Sequence, residues 1–177
     1  MSEQLPDLLK RIIDNGESTT VEFKEAKNKL PNSLFETVTS MLNRNGWQIF
    51  LGVNDSKEII GVYKDAVKNM KKDFTNLCNN PEKIFPTVHL EIKEYEINDK
   101  VILYIYVYSS SDVHKTSGKI FDRNEDGDYD ITGNTSMISN MYIRKSSSYT
   151  KKLNISICNI RWFKIRFNWK SKEDGRK

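Results

Sequence analysis

The chain of 177 residues predicts one α+β domain in which a mixed β-sheet is flanked by helices. Segments with apolar residues at helical spacing are interspersed with segments in which apolar and polar residues alternate. Two long alternating runs, residues 88–97 and 101–108, meet at Asn98-Asp99, the clearest hairpin signal in the sequence. Because no internal repeat or Pro-rich linker interrupts the chain, we place the domain over residues 1–150 and a basic tail over residues 151–177.

The first part of the chain alternates helix and strand. Apolar residues at helical spacing predict a helix over residues 4–14, which Gly16 ends, and residues 19–24 alternate as in a strand. Ser33 and Glu36 form a capping box for a second helix, whose apolar stripe comprises Leu34, Phe35, Val38, Met41 and Leu42. We expect this helix to pack on one face of the sheet.

The next apolar run, residues 47–53, predicts the central strand of the sheet, covered on both faces. Residues 58–62 predict its short partner strand. A third helix is marked by Val67, Met70, Phe74 and Leu77. Beyond the hairpin, the polar residues 109–139 predict irregular structure, and residues 141–144 predict a last short strand.

The net charge of +4 conceals an asymmetry. Residues 151–177 carry nine Lys and Arg against two Asp and Glu, which leaves 19 basic and 22 acidic residues, a net charge of −3, in residues 1–150. Clustered cations attract nucleic-acid phosphates, so the tail is either an electrostatic handle for nucleic acid or a solvated extension.

Composition excludes several classes of protein. Cys78 and Cys158 form no CxxC pair and only two histidines accompany them, which excludes a disulfide framework and a Cys/His zinc site. No apolar run approaches the ~18–20 residues of a membrane helix. The first ten residues lack the layout of a signal peptide, so we expect a cytoplasmic protein without a membrane partner.

Carboxylates near two predicted strands form the first candidate site. Glu22 and Lys24 lie two apart on one strand and share a face, while Glu17 precedes that strand. Asp55 follows the end of the predicted central strand, where ligand-binding residues of α/β sheets often gather. The three carboxylates predict a site for Mg²⁺ or Mn²⁺, with Lys24 positioned to neutralise phosphate charge; solvated acidic residues beside turns are the alternative.

An acidic segment over residues 122–130 is the second candidate. It matches an EF-hand loop at several positions, but Gly133 stands where the bidentate Glu belongs, and no helical pattern precedes Asp122. We therefore expect an exposed acidic loop rather than a calcium site.

A basic and aromatic segment, residues 141–152, is the third candidate site. Cations alternate with tyrosines and hydroxyls there, a pattern that suits a nucleic-acid backbone with stacked bases. The alternative is a charged edge strand. The predicted nucleic-acid-binding residues are Arg144, Lys145, Tyr149, Lys151 and Lys152.

Several strings occur in the order of a known domain: Glu-Phe-Lys at residues 22–24, a helix ending at Gly46, Gly-Val-Asn-Asp at 52–55, and Tyr-Ile-Arg at 142–144. Over residues 15–150 the chain thereby resembles the Schlafen AlbA_2 domain. It departs from the family where Trp47 replaces the second Gly of a Gly-Gly turn. That tryptophan either stacks on a base or caps the core.

The resemblance implies an α+β nucleic-acid-binding fold. Some Schlafen members are metal-dependent endoribonucleases, hydrolases that cut structured RNA such as tRNA with two Glu, one Asp and a nearby Lys. These roles fall on Glu17, Glu22, Asp55 and Lys24. Many bacterial members are instead described as DNA-binding or transcription-regulatory modules, so that alternative stays open. Animal Schlafens combine two such lobes and this chain has one, which predicts a homodimer.

Overall fold

A computed structural model of the chain describes residues 3–4, 6–125 and 127–147. Its elements, in chain order, are β1 (Glu3–Gln4), α1 (Asp7–Asn15), β2 (Val21–Lys24), α2 (Leu34–Asn43), β3 (Gly46–Leu51), α3 (Lys64–Cys78), β4 (Ile84–Phe85), β5 (Ile92–Ile97), β6 (Lys100–Tyr108), β7 (Lys115–Thr116), β8 (Phe121–Asn124), β9 (Gly127–Asp130) and α4 (residues 135–147). No helix in these ranges is long and apolar enough to cross a membrane.

The main sheet is mixed, as predicted, and its strand order is β1-β5-β6-β3-β2. Strands β1 and β5 are parallel, as are β2 and β3, whereas β6 is antiparallel to both β3 and β5. The run that includes β3 lies inside the sheet as predicted, although the middle strand is β6. Two short ladders, β4 with β7 and β8 with β9, complete the pairing of the named strands.

Apolar side chains cover both faces of this sheet. The predicted stripe of α2 is fully buried against α3 and against Ile49 and Leu51 of β3. On the other face, Leu9 and Ile13 of α1 pack with Phe50, which alternates with Ile49 along the strand. Because successive side chains of β3 point to opposite faces of the sheet, this strand contributes to the hydrophobic core on each face. The α+β prediction is confirmed.

Several local predictions are also confirmed. Gly16 ends α1 with φ +93°, and Asn98 and Asp99 have φ of +50° and +61° in the turn between β5 and β6. Two local predictions are wrong. Ser33 precedes α2 but makes no side-chain capping hydrogen bond, and residues 58–62 form only isolated bridges instead of a partner strand.

The largest corrections lie near the end of the described chain. Residues 109–139 contain β7, β8 and β9 instead of being irregular throughout. Residues 141–144 lie in helix α4 and not in a strand. The helix starts after Asn134, whose side chain accepts a hydrogen bond from the Met137 N–H at 3.0 Å, and it buries Met141 completely.

Candidate functional site

The structure brings all four residues of the first candidate site to one groove. Because β2 and β3 are adjacent and parallel, Glu22 and Lys24 lie near the segment that leaves β3 and carries Asp55. The groove, of about 430 Å³, is lined by Glu17, Glu22, Phe23, Lys24, Glu25, Pro31, Ser33 and Asp55. We call it the carboxylate groove.

Glu22 is the most heavily engaged of these carboxylates. Its Oε1 accepts a hydrogen bond from Lys24 Nζ at 2.9 Å, which follows from the shared face predicted for the two side chains. Its Oε2 accepts one from Arg123 Nη2 at 2.5 Å. Each oxygen of Glu22 is thus paired with a cation.

The Glu17 carboxylate is fixed by a hydrogen bond from the backbone of β2, the strand that it precedes. Its Oε1 accepts a hydrogen bond from the Phe23 N–H at 2.7 Å. Burial raises the pKa of Glu17, against the lowering effect of that hydrogen bond, and the negative charges of Glu22 and Asp55 raise it further. The three carboxylates are therefore close enough to repel one another electrostatically.

This convergence does not amount to a metal centre in the present arrangement. Within residues 3–4, 6–125 and 127–147, no group of three or more His, Cys, Asp or Glu side chains is placed to hold a metal ion. The pairing of both Glu22 oxygens with Lys24 and Arg123 explains why that carboxylate is not available. The Mg²⁺ or Mn²⁺ site stays a prediction.

Arg123 is the residue of this region that the sequence did not single out. Its side chain is 6% exposed, and besides Glu22 it binds Asp128 at 2.8 Å through Nη1. Its Nε is buried and has no hydrogen-bond partner among the described residues. In the sequence, the only indication was a lone arginine in an acidic segment.

The acidic segment is a β-hairpin and not a loop, and only part of it is exposed: Glu125 and Asp130 face solvent as expected, whereas Asp122 and Asp128 do not. Asp122 is buried and binds Arg44 through two hydrogen bonds of 2.5 and 3.1 Å. Asp128 accepts hydrogen bonds from the hydroxyls of Thr37 and Ser40 on α2. These carboxylates attach the β8–β9 hairpin to α2, because their charges meet donors of the helix.

Helix α4 places two residues of the third candidate site, Arg144 and Lys145, in different environments. Arg144 is 39% exposed; it donates to the Asn43 carbonyl at 3.3 Å and lies 3.6 Å from Asp122. Lys145 is buried, and its ammonium donates to the carbonyls of Leu42 and Ser110 at 2.7 and 2.8 Å. Burial lowers the pKa of Lys145 to about 8, and its ammonium contacts carbonyls of the protein interior.

The remaining residues of that candidate, Tyr149, Lys151 and Lys152, lie outside the described residues.

Comparison with known proteins identifies the domain type. The profile of the family described as Schlafen, AlbA_2 matches residues 17–132. No curated protein matches the chain.

The solved structures that are similar to this chain include the following two. A crystal structure of a Corynebacterium diphtheriae protein aligns at 17% identity with a TM-score of 0.52 over 69% of this chain, and the chain spans 25% of that protein. The solution structure of the N-terminal domain of an ATP-dependent DNA helicase RecG-related protein from Nitrosomonas europaea aligns at 23% identity. That alignment has a TM-score of 0.45 and covers 58% of this chain and 71% of the other.

Proposed function

Because the chain belongs to the Schlafen AlbA_2 family, we propose that it is a nucleic-acid-binding domain whose carboxylate groove faces the bound strand. The observation that carries this proposal is that Glu17, Glu22, Lys24 and Asp55 line one groove. These are the residues on which the family resemblance puts the roles that act on RNA. A groove assembled from separate segments of the chain is a better indication of function than any one of its residues.

Cations outside the groove, and not its own charge, support the binding of a polyanion. Four carboxylates line the groove, and Lys24 and Arg123 pair with only one of them, Glu22, so the groove itself is net acidic. Arg144 adds a partly exposed cation, and residues 151–177 contain nine Lys and Arg. Lysine and arginine bind nucleic acid chiefly by releasing the counterions of its phosphates.

Binding is tested by fluorescence anisotropy with tRNA and with duplex DNA at salt concentrations from roughly 50 to 200 mM. We expect the affinity for at least one of the two to fall steeply as salt increases. Arg144→Ala should weaken binding and reduce the slope of log affinity against log salt by about 1. Lys68→Ala, which removes an exposed cation from α3, is the matched control and should change neither. A chain that binds neither tRNA nor DNA contradicts the proposal.

We extend the proposal to a metal-dependent endoribonuclease that hydrolyses structured RNA such as tRNA. The convergence of three carboxylates and a lysine favours it, as does the raised pKa of Glu17. Glu22 is paired with Lys24 and Arg123, so to hold Mg²⁺ or Mn²⁺ it would have to exchange one of these partners for the metal. The alternative is a non-catalytic DNA-binding or transcription-regulatory module that uses the same groove for binding alone.

Cleavage is tested by incubating tRNA and duplex DNA with the chain in Mn²⁺ and in chelator. If the groove is catalytic, Glu22→Gln should reduce the cleavage rate by roughly 10²-fold or more, because it removes an electrostatic stabiliser with almost no change in shape. Because the variant also loses the ion pairs with Lys24 and Arg123, thermal unfolding must show that it is folded under the assay conditions. Glu25→Gln, which changes an exposed carboxylate lining the same groove, is the control and should retain cleavage. Wild-type protein that binds but cuts neither substrate supports the binding-module alternative.

The homodimer is also a proposal. Two copies would enclose a strand between two carboxylate grooves, and sedimentation at tens of micromolar tests it. A monomer at that concentration would contradict it.

A further inference from the structure

A second groove lies close to the carboxylate groove, although the two are lined by different residues. It has a volume of about 490 Å³, within the usual range of small-molecule sites, and its lining includes Trp47, Arg44, Asn45, Thr20 and Arg123. We call it the tryptophan groove. Arg123 connects the two grooves, because it lines this one while its guanidinium binds Glu22 in the other.

The backbone fixes Trp47 at the wall of this groove. The preceding Gly46 has φ +77°, and a Cβ there would lie 2.4 Å from the backbone of Val107, so the two strands approach too closely for any other residue. Trp47 pairs with Val107 in the sheet and projects toward the α2 face. Its ring packs partly on the core and is only half-buried, so part of it remains in the groove.

Apart from the exposed Glu125, which repels a phosphate, the other side chains of the groove are suited to the polar parts of a nucleotide. Arg44 donates two hydrogen bonds to Asp122 and one to Tyr129, and because a guanidinium has five N–H donors, two are left for a phosphate. Asn45 and Thr20 have both donors and acceptors, as the edge of a base requires. An indole face beside amides and a guanidinium is the combination that binds unpaired bases.

We propose that the tryptophan groove takes one unpaired nucleotide of a single-stranded segment of nucleic acid. The base stacks on Trp47, its phosphate lies against Arg44, and the strand continues past Arg123 into the carboxylate groove. This inference rests on the proposed nucleic-acid-binding function and adds to it the kind of substrate, a strand with an unpaired nucleotide next to the groove.

The direct test observes the fluorescence of Trp47. The chain contains three tryptophans, and replacing Trp162 and Trp169 by phenylalanine in the full chain leaves Trp47 as the only one. The probe is a mixed-sequence RNA of about twelve nucleotides, within the length that single-strand binding surfaces commonly cover. The single strand should quench the fluorescence of Trp47, and the same RNA annealed to its complement should not.

Variants of the full chain measure what stacking contributes. Trp47→Leu should weaken single-strand binding about 10-fold or more, the equivalent of about 1–3 kcal/mol for one stacked base, while Trp47→Phe should retain much of the affinity. Tyr106→Leu is the control, because Tyr106 is exposed on the opposite face of the sheet, where it pairs with Gln48. Thermal unfolding of each variant separates loss of binding from loss of the fold.

The outcomes distinguish this inference from the proposed function. Single-strand binding without quenching of Trp47, and with full affinity in Trp47→Leu, overturns the tryptophan groove but leaves nucleic-acid binding intact. Binding of tRNA or duplex without any binding of the single strand does the same. Quenching by free AMP or UMP at the affinity of the strand overturns the assignment to a strand in favour of a mononucleotide. A chain that binds no nucleic acid overturns both proposals.

Discussion

Replacing Arg123 by methionine tests whether one buried guanidinium holds the carboxylate groove and the β8–β9 hairpin together. Arg123 donates to Glu22 and Asp128 at 2.5 and 2.8 Å, and a hydrogen bond to a charged group is worth about 1.5–3 kcal/mol. The variant also removes the unpartnered Nε, whose burial costs about 1–3 kcal/mol. At the midpoints of these ranges the two bonds contribute about 4.5 kcal/mol and the Nε costs about 2 kcal/mol, so the free energy of unfolding should decrease by about 2–3 kcal/mol.

The assay is urea unfolding followed by circular dichroism. For a slope of about 1.5 kcal/mol per M, the midpoint should decrease by between about 1 and 2 M with the slope unchanged. Lys119→Met is the matched control, since it breaks the exposed ion pair with Asp130 on the same hairpin and should shift the midpoint far less. Equal small shifts in both variants would refute the reasoning. So would an additive double mutant of Arg123→Met with Asp128→Asn, because directly paired residues should couple.

Two further predictions concern stability. Gly46→Ala should lower the free energy of unfolding by more than roughly 2 kcal/mol, because its Cβ would lie 2.4 Å from the Val107 backbone. Thermal unfolding tests this against Gly133→Ala, whose Cβ would have no neighbour within 4 Å and which should be nearly neutral. The pKa of Lys145 is about 8 when folded against 10.5 as the ordinary value, so the unfolded chain holds the extra proton between these limits. Over that pH window, stability should rise with pH by up to about 1.4 kcal/mol per unit relative to Lys145→Met, and a pH-independent difference between the two proteins would contradict this.

The sequence predicted correctly those helices and turns that depend on residues close together in the chain. The helices α1, α2 and α3 and the hairpin at Asn98-Asp99 follow from apolar spacing and turn chemistry, which act over a few residues. The carboxylate groove was also predictable. Glu22 and Lys24 share a face of β2, and Asp55 follows the neighbouring strand, so the end of a parallel pair brings them together.

The contacts that complete the site join residues far apart in the chain. Arg123 meets Glu22 from 101 positions away, and no spacing in the sequence connects them. The burial of Asp122 and Asp128 was not predicted for the same reason, because their donors lie on α2 and directly after it, at Thr37 and Arg44. Charge density alone indicated solvent exposure.

Helix α4 was missed although the sequence contained its signals. Residues 141–144 have a local composition typical of strands, which masked the capping Asn134 and the helical spacing of Met137, Met141 and Lys145. Lys145 obscured the pattern further, since a lysine at a buried position breaks the apolar stripe. Its ammonium is accommodated only because two backbone carbonyls accept its hydrogen bonds.

The most direct test of the central claim is a cross-linking measurement that locates bound nucleic acid on the protein. Ser33 lines the carboxylate groove, and its side chain makes no capping hydrogen bond, so a photoreactive benzoyl-phenylalanine can replace it at little structural cost. The same group at the exposed Lys68 of α3 is the control. We predict that bound tRNA cross-links on irradiation to position 33 and not to position 68, and that unlabelled tRNA competes. Cross-linking at position 68 alone, or equally at both positions, would show that nucleic acid does not occupy the carboxylate groove.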